Sequence, residues 1–181
     1  MKILIMDDNP LHRAAAQAQL NDHELTVVST YDDAQALIGK KHDFDVVLVD
    51  LLMPPSKKNL NSQGKRFTRK EMPVGIFLAL LAARFGAKYV AVVTDAGHHD
   101  HPASTCFDAF NPFDRHNVHN PNAPQPFKLN DAKVILCNNC IDYFYGDDLS
   151  RQMAYGQYNT EKGKVIAVKN WRLVLEALLQ S

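Results

Sequence analysis

VVLVDLLMPP, residues 46–55, is an apolar run that reaches one carboxylate at Asp50 and is followed by two prolines. Four consecutive aliphatic residues without polar alternation are typical of a strand that is covered on both faces in a parallel sheet. A carboxylate costs free energy when it is buried, so a carboxylate at the end of such a strand indicates a functional role. The segment therefore predicts a central strand that holds Asp50 at the rim of an α/β sheet.

Along the rest of the chain, predicted strands alternate with predicted helices. Strand candidates lie at 2–6, 24–30, 46–49, 89–93, 132–137 and 164–168, and helix patterns lie at 11–20, from 31, at 73–85 and at 171–180. Strands and helices that alternate at short spacing predict a parallel sheet with helices on its faces. We expect a single domain over residues 1–181.

The overall composition excludes several classes of protein. The formal net charge is zero, which does not favour nucleic acid or an acidic membrane as a partner. No apolar run approaches the roughly 20 residues that span a bilayer, and the start, MKILIMDDNP, does not resemble a secretory signal. Three cysteines do not make a disulfide framework. We expect a cytoplasmic protein with no membrane segment and no DNA-binding domain.

Polar side chains stand at the carboxyl ends of these strands, where parallel α/β sheets bind their ligands. They are Asp7, Asp8, Asp50, Thr94 and Lys169. Three carboxylates at one rim repel one another and need a counter-ion. Oxygen ligands of this kind suit Mg²⁺, which is typically held by one or two carboxylates together with water and phosphate oxygens.

The segments MKILIMDDNPLHR, FDVVLVDLLMP, VAVVTD and VIAVKN resemble the strand ends of the response-regulator receiver domain of two-component signalling. The resemblance covers 1–53, 73–95 and 164–180. It implies a doubly wound, flavodoxin-like sheet of five parallel strands in the order 2-1-3-4-5, with strand 5 at 164–168 and a long insertion between strands 4 and 5.

The resemblance also implies a role for each residue at the rim. Asp50 would accept a phosphoryl group from the phosphohistidine of a sensor kinase or phosphotransfer protein. The Mg²⁺ ligands would be Asp7, Asp8, Asp50 and the backbone carbonyl of Leu52. Thr94 and Lys169 would contact the phosphoryl group after transfer. An ionised carboxylate, a metal ion and a lysine are the groups that this chemistry needs.

These roles predict a stand-alone receiver that signals through a downstream protein and catalyses only its own phosphorylation and dephosphorylation. An alternative is a receiver-like binding module that is never phosphorylated. A third hypothesis is a metal-dependent phosphohydrolase that combines the same acids with the histidines of 98–101, which are His98, His99 and His101.

Three positions depart from the receiver pattern. Asp95 stands where a small residue is usual, and it would either repel a phosphoryl group or add a metal ligand. Asn170 replaces the proline that normally follows the lysine in a cis peptide bond, which predicts a different turn there. Ile166 replaces the aromatic residue that commonly reports phosphorylation. These departures favour the binding module.

Two segments interrupt the alternation, 54–72 and about 96–162. The first is a predicted loop with six basic residues against one acid, and we expect either a solvated surface or an attraction for an acidic partner or a phosphate. The second contains five of the eight histidines, all three cysteines and several aromatic residues. Its C-x-x-C pair resembles half of a zinc site, and the alternatives are a polar loop or histidines that line the rim. The candidate residues are His98, His99, His101, Cys106, Cys137 and Cys140.

Overall fold

The computed structural model describes residues 1–39, 43–58, 60–96, 100–111, 124–137 and 168–180. Within these ranges six strands form one sheet, in the spatial order β2-β1-β3-β4-β6-β5. The strands are β1 (Lys2–Met6), β2 (Glu24–Val28), β3 (Val46–Asp50), β4 (Tyr89–Val93), β5 (Phe127–Leu129) and β6 (Ala132–Cys137). The first four and β6 pair in parallel, and β5 pairs antiparallel with β6 at the edge. The predicted α/β class is confirmed.

The helices cover both faces of this sheet. They are α1 (Pro10–Gln19), α2 (Tyr31–Ile38), α3 (Ser62–Lys65), α4 (Gly75–Arg84), α5 (Pro102–Thr105) and α6 (Trp171–Leu179), with a 3-10 helix at Cys106–Ala109. One core cluster lies between the sheet and helices α2 and α4. The other lies between the sheet and helices α1 and α6. All five residues of β3 are buried, as a central strand covered on both faces requires.

The strand order corrects one part of the sequence prediction. The strand beside β4 is β6, residues 132–137, which the prediction placed inside an insertion. Residues 164–167 of the expected fifth strand lie outside the described residues, and Val168 is buried in the core with α1 and α6. β6 suits the position because five of its six residues are buried. The sheet therefore has six strands in the described ranges instead of five, and the segment 96–162 is not wholly an insertion outside the sheet.

The segment 54–72 is also more structured than a loop. It contains the short helix α3, whose first turn is capped by the side chain of Asn61. Met53 and Met72 pair across its base as an isolated antiparallel bridge. This bridge brings the end of β3 back to the start of α4, where the Gly75 amide donates to the Leu51 carbonyl at 3.1 Å.

No helix in the described residues is both long enough and apolar enough to span a lipid bilayer.

Candidate functional site

The parallel register brings the carboxyl ends of β1, β3 and β4 to one rim. Met6 pairs with Val49, and Asp50 pairs with Val93. Asp7 and Thr94, which directly follow β1 and β4, therefore flank the carboxyl end of β3. Asp7 and Thr94 are fully buried, and Asp50 is 4% exposed.

Lys169 connects two of these carboxylates, although it lies more than a hundred residues away in the chain. Its ammonium Nζ is 2.6 Å from Asp50 Oδ1 and 2.7 Å from Asp7 Oδ2. The lysine side chain is 0% exposed. An ammonium so fully removed from water needs partners of opposite charge, and here it has two.

Asp8 completes an acidic cluster with Asp7 and Asp50. One ligand oxygen from each carboxylate lies within 4.8 Å of the others. Within the described ranges this is the one group of three His, Cys, Asp or Glu side chains that converges in this way. Three hard oxygen donors at this spacing fit a divalent cation such as Mg²⁺. These are the residues that would hold the predicted metal, which stays a prediction, and Asp8 is the member that solvent reaches most easily.

The pKa values of two acids in the cluster are raised, which reflects the cost of placing negative charges close together in a buried site. Burial, with the nearby Asp7 carboxylate, raises the pKa of Asp50 to about 7, against the opposing effect of the Lys169 ammonium. Burial and then Asp7 also raise the pKa of Asp8. The protein thus holds negative charge where it is unfavourable, and a cation that enters the cluster would relieve this cost.

The backbone of Asp50 packs closely against the first residue of helix α4. A Cβ atom added to Gly75, the first residue of α4, would lie only 1.9 Å from the Asp50 carbonyl oxygen. Only glycine allows this close approach of helix and strand. The sequence analysis did not single out Gly75.

Thr94 is held beside the site by hydrogen bonds to backbone groups. Its N–H donates to the Cys137 carbonyl at 3.0 Å, and its hydroxyl oxygen accepts from the Ala96 N–H at 3.1 Å. Leu52 is partly buried against the core. The roles of Thr94 and of the Leu52 carbonyl toward a ligand stay predictions.

Asp95 has a partner that the sequence did not suggest. Its carboxylate oxygen Oδ2 is 3.1 Å from Nε2 of His12, a residue of α1 that is 3% exposed. This hydrogen bond lowers the pKa of Asp95 to about 2. The two predicted alternatives, repulsion of a phosphoryl group and metal binding, did not include a hydrogen bond to a residue of helix α1.

Asn170 also has a structural role. Its side-chain oxygen accepts from the Leu173 N–H at 3.1 Å and so caps α6. Its buried side-chain nitrogen has no hydrogen-bond partner in the part of the chain that the structure describes. Every peptide bond in those ranges is trans. Asn170 thus begins α6 as its cap, and the comparison with the receiver turn stays a prediction.

The candidate zinc residues are only partly described. His98, His99 and Cys140 lie outside the described residues, as does Ile166. His101 caps α5 through Nδ1, which accepts from the Ala103 N–H at 3.1 Å. Cys106 is exposed and Cys137 is buried at the end of β6. The zinc prediction stays untested.

Sequence reasoning missed His12 and Gln19, two polar residues on the buried face of α1. That face comprises His12, Ala15, Ala16 and Gln19, at helical spacing. Polar residues at core positions of an amphipathic helix were the available signal, because buried polar groups require specific partners.

Comparisons with protein-family models, with curated proteins and with solved structures found no match for this chain.

Proposed function

We propose that this chain is a receiver-type switch that accepts a phosphoryl group on Asp50 and signals through a protein partner. The observation that carries the proposal is the buried contact of the Lys169 ammonium with Asp50 and Asp7, beside the third carboxylate of Asp8. A buried lysine with three converging acids typically stabilises a fold less than apolar side chains of similar volume would. They are suited to phosphoryl transfer, which depends on positioning and on neutralising charge.

In the proposed reaction an Asp50 oxygen attacks the phosphorus atom of a phosphohistidine on a kinase or phosphotransfer protein. A P–O bond forms, the P–N bond breaks, and the imidazole nitrogen leaves with the electron pair and takes up a proton. Mg²⁺ bound by Asp7, Asp8 and Asp50 would neutralise the charge of the transferring group. Lys169 would leave Asp50 and pair with the new phosphoryl oxygens, and Thr94 would donate its hydroxyl proton to them.

The product would carry more negative charge than the carboxylate it replaces. Lys169 and Thr94 would then have new contacts that exist in one state only, which is the requirement for a shift between two conformations. The output would be a changed surface for a downstream protein.

The test is phosphorylation by acetyl phosphate in the presence of Mg²⁺, followed by mass spectrometry of the intact chain. We expect wild type to gain the mass of one phosphoryl group and to lose it with hydroxylamine, which cleaves acyl phosphates. Asp50→Asn should not gain this mass. The matched control is Asp45→Asn at the opposite end of the same strand, where Asp45 pairs with exposed Lys88. The proposal fails if wild type does not label, or if Asp50→Asn labels as well as Asp45→Asn.

A second candidate is a binding module that is never phosphorylated. It is favoured by the partners that the polar groups of the site already have within the chain, since the Lys169 ammonium contacts Asp7 and Asp50, and His12 is hydrogen-bonded to Asp95. For this candidate we expect no label and no change in the fluorescence of Trp171, the sole tryptophan, when Mg²⁺ is added. The phosphohydrolase hypothesis relies on the histidines of 98–101, of which His98 and His99 lie outside the described residues, and it stays a prediction.

A further inference from the structure

We infer that His12 is a positioning residue, which holds Lys169 in place for phosphoryl transfer and is itself oriented by Asp95. The inference rests on the proposed function of the Asp50 site. Its basis is the position of one imidazole ring between the chain that follows β4 and the chain that precedes α6.

Both ring nitrogens of His12 are used. Nδ1 accepts the backbone N–H of Lys169 at 3.2 Å, and Nε2 contacts Asp95 Oδ2 at 3.1 Å. A backbone N–H can only donate, so Nδ1 carries the lone pair and the ring proton lies on Nε2, which donates to Asp95. The low pKa of Asp95, about 2, means that the acceptor is a charged carboxylate, which makes this a strong hydrogen bond.

The same helix holds the residues around Lys169 at two further points. The indole Nε1–H of Trp171 donates to the His12 carbonyl at 2.8 Å. Gln19 donates to the Lys169 carbonyl at 3.1 Å and accepts from the Trp171 N–H at 2.6 Å. Residues 169–171 are therefore bound to α1 through backbone groups on both sides of the lysine.

This arrangement has a direct consequence for the ammonium group. Lys169 Nζ lies 2.6 Å from an Asp50 oxygen and 2.7 Å from an Asp7 oxygen. These distances depend on where the Lys169 backbone lies, and hydrogen bonds to α1 hold it there. The His12 ring is the one described side chain that connects the Lys169 backbone to Asp95, the neighbour of Thr94. His12 thus connects the backbone of Lys169 to the residue that follows Thr94. None of its described hydrogen bonds is to Asp7, Asp8 or Asp50.

The test compares three substitutions. His12→Leu keeps apolar bulk and removes both ring hydrogen bonds. His12→Asn places an oxygen near the position of Nδ1, so it can still accept the Lys169 N–H, but it is too short to replace the Asp95 contact. His23→Leu is the control, because His23 pairs with Asp22 at 3.8 Å near the opposite end of the sheet.

Two quantities are measured for each variant. One is the hydrogen-exchange rate of the Lys169 amide, with the amide of Leu48 as an internal reference for the intact fold. The other is the rate constant for labelling at saturating acetyl phosphate and Mg²⁺. We expect His12→Leu to accelerate exchange at Lys169 alone and to slow labelling about tenfold or more, since small displacements of a positioning group have effects of this size. His12→Asn should restore only part of both, because it keeps the Lys169 contact and lacks the Asp95 contact, and His23→Leu should match wild type.

The outcomes separate the inference from the proposed function. Unchanged exchange at Lys169 in His12→Leu overturns the inference while labelling of wild type still supports the function. Unchanged labelling in a variant with faster exchange also overturns it. If wild type does not label, the proposed function fails and the reaction role of His12 fails with it, whereas the exchange rates still decide whether His12 holds Lys169.

Discussion

Replacement of Lys169 by methionine would remove the charge at the centre of the site with little change in side-chain volume. Asp7 and Asp50 would then remain buried without the ammonium that contacts both. We expect this variant to be strongly destabilised without divalent metal ions, and to regain much of the loss when Mg²⁺ is added.

The magnitude follows from the two distances. At 2.6 and 2.7 Å, and with an effective dielectric constant of about 20, each contact contributes about 6 kcal/mol of Coulomb attraction. Desolvation of three buried ions offsets most of this gain. Removal of one partner nevertheless leaves the others unpaired, and buried pairs broken in this way typically lose about 3–5 kcal/mol. We expect that loss in the free energy of unfolding of Lys169→Met.

The assay is urea denaturation in EDTA and in Mg²⁺, with Lys88→Met as the matched control. Lys88 contacts Asp45 at 3.0 Å, but its side chain is 71% exposed. Exposed pairs of this kind contribute about 0–1 kcal/mol, so the control should lose no more than that in either buffer.

The deficit of Lys169→Met should also depend on pH. Without the ammonium the pKa of Asp50 would rise further above its ordinary value. A carboxyl group with a raised pKa stabilises the folded state below the unfolded pKa, and this contribution is lost as pH rises through the folded pKa. The variant should therefore be closest to wild type near pH 5 and furthest from it near pH 8. Equal losses for Lys169→Met and Lys88→Met, or a deficit that Mg²⁺ does not reduce, would refute the reasoning.

Three further predictions concern the acidic cluster and the glycine that packs against Asp50. Asp50→Asn should stabilise the protein in EDTA, because burial raises the pKa of Asp50 to about 7 and its ionised form is therefore costly. In urea denaturation the increase in the free energy of unfolding over wild type should grow between about pH 4 and 7 and then level off, at up to a few kcal/mol. Asp8→Asn should weaken Mg²⁺ binding about tenfold in calorimetric titration, since affinity follows the number of charged ligands, and equal affinities would exclude Asp8 as a ligand. Gly75→Ala should lower the free energy of unfolding by about 1–3 kcal/mol or more, because its Cβ would overlap the Asp50 carbonyl oxygen. Gly64→Ala is the control for thermal denaturation, because its nearest contact is the flexible end of Leu60.

Much of the central sheet could be predicted from local patterns alone. The apolar runs at 46–49 and 89–93 lie in β3 and β4, and the helix expected at 171–180 is α6 at Trp171–Leu179. These features depend on hydrophobic periodicity, which is written into neighbouring residues. The rule that ligands bind beyond the carboxyl ends of parallel strands then placed Asp7, Asp50 and Lys169 together, and the structure brings them into contact.

Two features depended on contacts between distant parts of the chain. Residues 132–137 and 164–168 are apolar runs of similar length, and local composition does not decide which of them pairs with β4, because strand pairing is a long-range choice. The hydrogen bond from the Lys169 N–H to His12 joins residues 157 positions apart. The sequence alone determined that an acid would end a buried strand, since burial patterns are local. Only the tertiary structure decided which histidine would contact Asp95 and the backbone of Lys169, because that contact depends on how helix α1 and the residues before α6 pack together.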